Sequence, residues 1–216
     1  MTTATTAPIE PIVSVHEVET IEDSLRIIGA EIVRSAPEVR GIVGRLLSEK
    51  RGDDWAIEER DTHAELSAIH NYVLENVKYM PDVRDFDTFQ RALLTVDYGI
   101  GDCDDMTILV GAMAMSVGYP VRLRVTDSSG QWDHIYAMIG VPQDDPDEWV
   151  ASDVASGQRV GWEQSTSGTN RRLTVSVHGD GIAPVAELGK AATDERAPLW
   201  AWAALLIGLL KVLRVV

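Results

Sequence analysis

From Thr20 onward, Ile21, Leu25, Ile28 and Ile32 recur at helical spacing, and after Pro37 a second set does the same: Val39, Ile42, Val43, Leu46 and Leu47. Proline lacks the N–H that a helix interior needs, so the pattern predicts a helical extension over residues 20–60, built as two helices that part at Pro37. An apolar run crosses Phe86 to Leu94, and a helical pattern opens directly behind the turn Gly99-Ile-Gly-Asp-Cys-Asp-Asp-Met106. Beyond it the period changes to two. Gln131 to Gly140 alternates as a strand, Glu148 to Val154 reads as a second strand after the turn-rich segment 142–147, and Arg172 to His178 as a third.

The two ends differ from this middle. Residues 1–19 carry no periodic signal and read as a flexible N-terminus; they lack a basic start and an apolar stretch, so cytoplasmic synthesis without a cleaved leader is expected. Residues 181–197 read as a linker, with alanine, threonine and charges and little to bury. Residues 198–216 are apolar up to Leu210 and then carry Lys211 and Arg214. Such a helix could anchor in a membrane with its tryptophans at one interface. It could equally bind a protein partner or an oligomer neighbour, or fold back on its own domain.

Composition adds two constraints. The 216 residues carry 34 acidic against 19 basic side chains, a net charge of −15, which argues against nucleic-acid binding through phosphates and favours basic substrates or partners. A single cysteine rules out an internal disulfide framework. No phosphate-binding glycine loop is visible and no cofactor is implied. No metal site is expected either, although Asp102, Asp104, Asp105 and His134 could in principle hold one, because hard-cation sites favour oxygen ligands alone and no further ligand run is visible.

That cysteine, Cys103, falls at the first turn of the helix predicted after the glycines. Unpaired N–H groups and the positive end of the helix dipole favour thiolate there, and two glycines allow a sharp turn and close approach of a substrate. Asp102 is placed to cap the helix, with Asp104 and Asp105 satisfying its first amides. His134 lies on the first predicted strand and Asp153 on the second. Neighbouring strands would present them together, giving cysteine, histidine and aspartate in the order and roles of an acyl-transfer triad.

These residues carry a family resemblance. Tyr98-Gly-Ile-Gly-Asp-Cys-Asp-Asp105, Gly118-Tyr-Pro-Val-Arg122, His134-Ile-Tyr136 and Trp149-Val-Ala-Ser-Asp153 follow one another as in the transglutaminase-like cysteine superfamily, and look most like its bacterial and prophage-encoded members. The resemblance implies an α+β fold with a papain-like core over residues 61–180, in which a helix carrying the cysteine packs on a small antiparallel sheet carrying histidine and aspartate. It also implies a helix before the cysteine, matched by Thr62 to Tyr79, with Asp82 trailing it. Family roles pass to Cys103 as nucleophile, His134 as general base and acid, and Asp153 as orienting carboxylate. A side chain that helps hold the oxyanion is expected too, with Gln90 and Tyr98 as candidates. Asp102 and Trp132, the latter beside the turn 127–130, are candidates for the substrate cleft.

Two functions are consistent with this reading. One is acyl transfer on a peptide or side-chain amide, as a cysteine protease, amidase or crosslinking enzyme. The other is a catalytically silent assembly module, for example in a phage particle, held to a partner or membrane by residues 198–216.

Overall fold

The computed structural model describes residues 13–15, 20–51, 54–58, 60–82, 88–127, 130–163, 171–179 and 181–185. In chain order these form β1 (Val13–Val15), α1 (Ile21–Leu47), β2 (Lys50–Arg51), β3 (Asp54–Trp55), α2 (Thr62–Asn76), β4 (Lys78–Tyr79), β5 (Thr88–Gln90) and α3 (Ala92–Tyr98). They continue with β6 (Ile100–Gly101), α4 (Cys103–Ser116), β7 (Val121–Asp127), β8 (Trp132–Val141), β9 (Glu148–Ser152), β10 (Arg171–His178) and β11 (Gly181–Pro184).

The main sheet has five antiparallel strands in the order β11-β10-β7-β8-β9. Alternation sends Leu123 and Val125, Ile135, Ala137 and Ile139, and Val175 and Val177 into one core. Tyr136, Met138 and Ala151 form a small cluster of their own, with Trp149 packed against it and Arg122 stacked 3.6 Å over the indole. Helix α4 is buried on every side from Asp105 to Ala114, which explains why its sequence is apolar all round and not amphipathic. Helix α1 closes the core against it. At their crossing a methyl on Gly111 would come within 2.9 Å of Ile32 Cδ1, so the two helices approach too closely for a side chain there.

Three expectations change. The helical pair broken at Pro37 is one helix, α1, of 27 residues. An interior proline costs about 3 kcal/mol in a helix, but Leu25, Ile28, Ile32, Val39 and Val43 on both sides of it are each at most 2% exposed, and this continuous buried stripe outweighs the lost bond. Residues 13–15, expected in the flexible N-terminus, pair antiparallel with β5. Residues 181–184, expected to begin the linker, instead form the edge strand β11, and Ile182 packs at Gly29 of α1. The apolar segment 198–216 lies outside the described residues. Among those described, no helix is long and apolar enough to cross a membrane.

Candidate active site

Helix α3 ends in Gly99, which takes a left-handed φ of 64°. The chain then runs through β6 and turns into α4 at Asp102. Asp102 caps α4 by accepting from the N–H groups of Asp104 (3.1 Å) and Asp105 (3.3 Å), and the Asp105 carboxylate reaches back to the Asp102 N–H at 3.4 Å. This capping box fixes Cys103 as the first residue of the helix, where a backbone N–H has no partner inside the helix. The Thr107 hydroxyl then ties this turn to the sheet, within 2.6 Å of Cys103 O and 3.2 Å of Ile135 O.

The sheet supplies the other two groups. The pairing of β8 with β9 ends at Ala137 opposite Ser152, so the backbone of β8 before Ala137 lies beyond the end of that neighbour. The Ile135 N–H, one residue from His134, acts on the Cys103 sulfur in favour of thiolate. Asp153 follows the last residue of β9 and is expected on that strand; it lies in the turn behind it, 3% exposed, and His134 Nε2 donates to its Oδ1 at 2.9 Å. The Ser156 N–H also donates to Asp153 Oδ1, at 3.2 Å. With Nε2–H directed at a carboxylate, a neutral imidazole carries its lone pair on Nδ1.

Behind Asp153, the side chain of His70 on α2 is fully buried and clamps the same turn. Its Nδ1 pairs with Ser152 Oγ at 2.9 Å and its Nε2 with Gln158 O at 2.8 Å. Burial holds the His70 pKa below the usual histidine value, against the smaller upward pulls of the Gln158 carbonyl and Asp153. The sequence alone does not flag His70, since it sits among apolar positions of an ordinary helix.

The thiol itself departs from expectation. Cys103 is half-buried, and its pKa is pushed up to about 12 by burial first and then by the charges of Asp102 and Asp104. The Ile135 and Cys103 N–H groups pull the other way and are outweighed. The helix N-terminus therefore does not make a resting thiolate. Asp104 is also pushed well up by burial and by its carboxylate neighbour Asp102. Asp102, Asp104 and Asp105 offer oxygens within 4.8 Å of one another, but Asp102 and Asp105 already serve the capping box.

The oxyanion candidates separate. Gln90 is bound to Asp105: its backbone N–H donates to Oδ1 at 2.7 Å and its Nε2 to Oδ2 at 2.6 Å. Asp105, 1% exposed, has a pKa pushed up to about 7 by burial, with the Gln90 N–H opposing. Tyr98 is 64% exposed at the end of α3. Trp132 packs on the main core beneath the Arg171 guanidinium, 4.9 Å from its ring centroid, and Asp102 is committed to the helix cap.

The core model of the transglutaminase-like superfamily matches residues 47–154, half of the 216-residue chain and a span that includes Cys103, His134 and Asp153. A comparison with curated proteins finds no match. Among solved structures the chain is similar to a candidate cysteine protease from Cytophaga hutchinsonii, with 13% identity, a TM-score of 0.40, and coverage of 66% of this chain and 52% of that one. It is also similar to a candidate protease from Parabacteroides distasonis, with 13% identity, a TM-score of 0.37, and coverage of 70% and 29%. The chain thus spans about half the length of the first of these proteins and under a third of the second. On the family match, the chain belongs to the transglutaminase-like superfamily.

Proposed function

We propose that this protein is a thiol acyl-transfer enzyme acting on a peptide or side-chain amide, with Cys103 as nucleophile, His134 as general base and acid, and Asp153 orienting the imidazole. The observation that carries this reading is the His134 Nε2 bond to buried Asp153 at 2.9 Å, one residue from the Ile135 N–H that favours the Cys103 thiolate. Because the thiol rests protonated, His134 Nδ1 takes its proton as the sulfur attacks the carbonyl carbon, and the C=O electron pair moves onto oxygen. Collapse expels the amine, which receives that proton from the imidazolium and leaves a thioester on Cys103. Water or a second amine then attacks the thioester, giving a proton to His134, which returns it to the departing thiolate. Water makes the protein a protease or amidase; an amine makes it a crosslinking enzyme. The acidic surface favours basic substrates.

The test is incubation with casein and a fluorescent primary amine, comparing the full chain with Cys103→Ala. The expected result is peptide release or amine incorporation that the variant lacks while keeping its fold. If both proteins behave alike, acyl transfer is ruled out for these acceptors.

The strongly raised thiol pKa favours a second reading, in which the site is silent and the protein serves assembly, in a phage particle or at a membrane, through residues 198–216. That reading predicts that deleting 199–216 abolishes assembly while Cys103→Ala changes nothing.

A further inference from the structure

The ladder between β8 and β9 runs out at Ala137 opposite Ser152, so Asp153 is the first residue past it, yet its carboxylate meets His134 Nε2 at 2.9 Å. The turn that carries Asp153 is shaped by its own bonds. Ser156 Oγ donates to Asp153 O at 2.7 Å, the Gly157 N–H to Val154 O at 2.9 Å and the Gln158 N–H to Ser156 Oγ at 3.3 Å. These bonds fix the form of the turn and not its distance from β8, which depends on what holds the turn from outside. Val154 buries its side chain in the core, and a polar hold comes from α2.

That hold is the fully buried ring of His70. The Gln158 carbonyl can only accept, so His70 Nε2 carries the hydrogen of the 2.8 Å bond; Nδ1 then bears a lone pair and accepts from the Ser152 hydroxyl at 2.9 Å. One neutral ring thereby bonds the residue before Asp153 and the far end of its turn. The ring stands on a firm base. Leu66, Ile69 and Val73 of α2 are each at most 3% exposed, and the Tyr119 hydroxyl, just beyond the nucleophile's helix α4, donates to Glu65 Oε2 at 2.6 Å. The Asp153 turn is therefore referred, through α2, to the helix that begins at Cys103.

Resting on the acyl-transfer reading above, we propose that His70 is a positioning residue of the reaction, which holds the Asp153 turn by its two ends at the distance from β8 where the carboxylate orients His134. It touches neither substrate nor sulfur and transfers no proton. Its effect on rate passes through Asp153 alone, which separates it from a histidine that merely fills the core.

The experiment is a double-mutant cycle on the full chain. Acetylation of Cys103 by p-nitrophenyl acetate is followed by intact mass in wild type, His70→Phe, Asp153→Asn and the double variant, with each rate expressed per folded molecule from urea unfolding. His70→Phe is expected to slow acetylation between about 10- and 100-fold alone and to add nothing in the Asp153→Asn background. Ser152→Ala removes a single hydroxyl and should repeat the pattern with a smaller factor, so it decides the matter if His70→Phe does not fold. Wild-type rates in these variants, or the same fall in both backgrounds, overturn the inference alone. A wild type that is never acetylated, or Asp153→Asn as fast as wild type, overturns the acyl-transfer reading and this inference with it.

Discussion

His134 Nε2 donates to Asp153 Oδ1 across 2.9 Å, and Asp153 is 3% exposed. A buried carboxylate in that position selects the imidazole tautomer with its lone pair on Nδ1 and stabilises the imidazolium that forms in turn. Asp153→Asn preserves shape but offers an amide that can donate to Nε2 and so favours the wrong tautomer. We expect acetylation of Cys103 by p-nitrophenyl acetate to fall about 100-fold or more, with the folded baseline of the circular dichroism spectrum unchanged.

Cys103 should react as a thiol at rest. Burial and the Asp102 and Asp104 charges push it up to about 12, so iodoacetamide labelling should be slow at neutral pH and climb with pH beyond the range of a free thiol, about 8.5. Asp102→Asn keeps an equally good helix cap while removing one of those charges. Its labelling profile should shift toward lower pH; an unshifted profile would mean that the Asp102 charge does not act on the thiol.

The Asp105 carboxyl has its folded-state pKa raised from 3.8 to about 7, mainly by burial. The stability tied to this proton is fully present below the unfolded value and is lost as pH rises through the folded one, up to about 4 kcal/mol in all. Asp105→Asn removes that titration. Urea unfolding between pH 4 and 8 should therefore show the difference between variant and wild type growing in the variant's favour as pH rises. The buried Gln90 Oε1, without a partner among the described residues, can then turn toward the new amide.

His70 predicts the opposite slope. Its folded pKa is depressed by burial, so the stability it contributes is present above the unfolded value of 6.5 and lost as pH falls through the folded one. His70→Ala would also leave Ser152 Oγ and Gln158 O without this partner, at a cost of about 2 kcal/mol. Urea midpoints at neutral pH check the loss, and the variant should show a flatter decline on acidification.

Much of this site was legible along the chain. His134 and Asp153 fall on or just past alternating segments joined by a short turn, and such segments pair as neighbours, as β8 and β9 do. The glycines and Asp102 announced a capped helix beginning at Cys103, and that is where α4 starts. Pro37 misled because local propensity says nothing of the buried stripe that holds α1 together through it. Cys103 misled for a related reason: the helix dipole is written in the sequence, whereas the burial that overrides it arises only when α4 is covered on every side. His70 was the least visible: it is placed by bonds to Ser152 and Gln158 far along the chain, which leave no periodic trace.

In the proposed mechanism His134 activates Cys103 as its general base. It is tested most directly by acetylating the full chain with p-nitrophenyl acetate near neutral pH and following intact mass in wild type and His134→Ala, with the single cysteine making the adduct unambiguous. One acetyl group is expected on the wild type, formed about 100-fold faster than on the variant. Equal rates in the two proteins would contradict it.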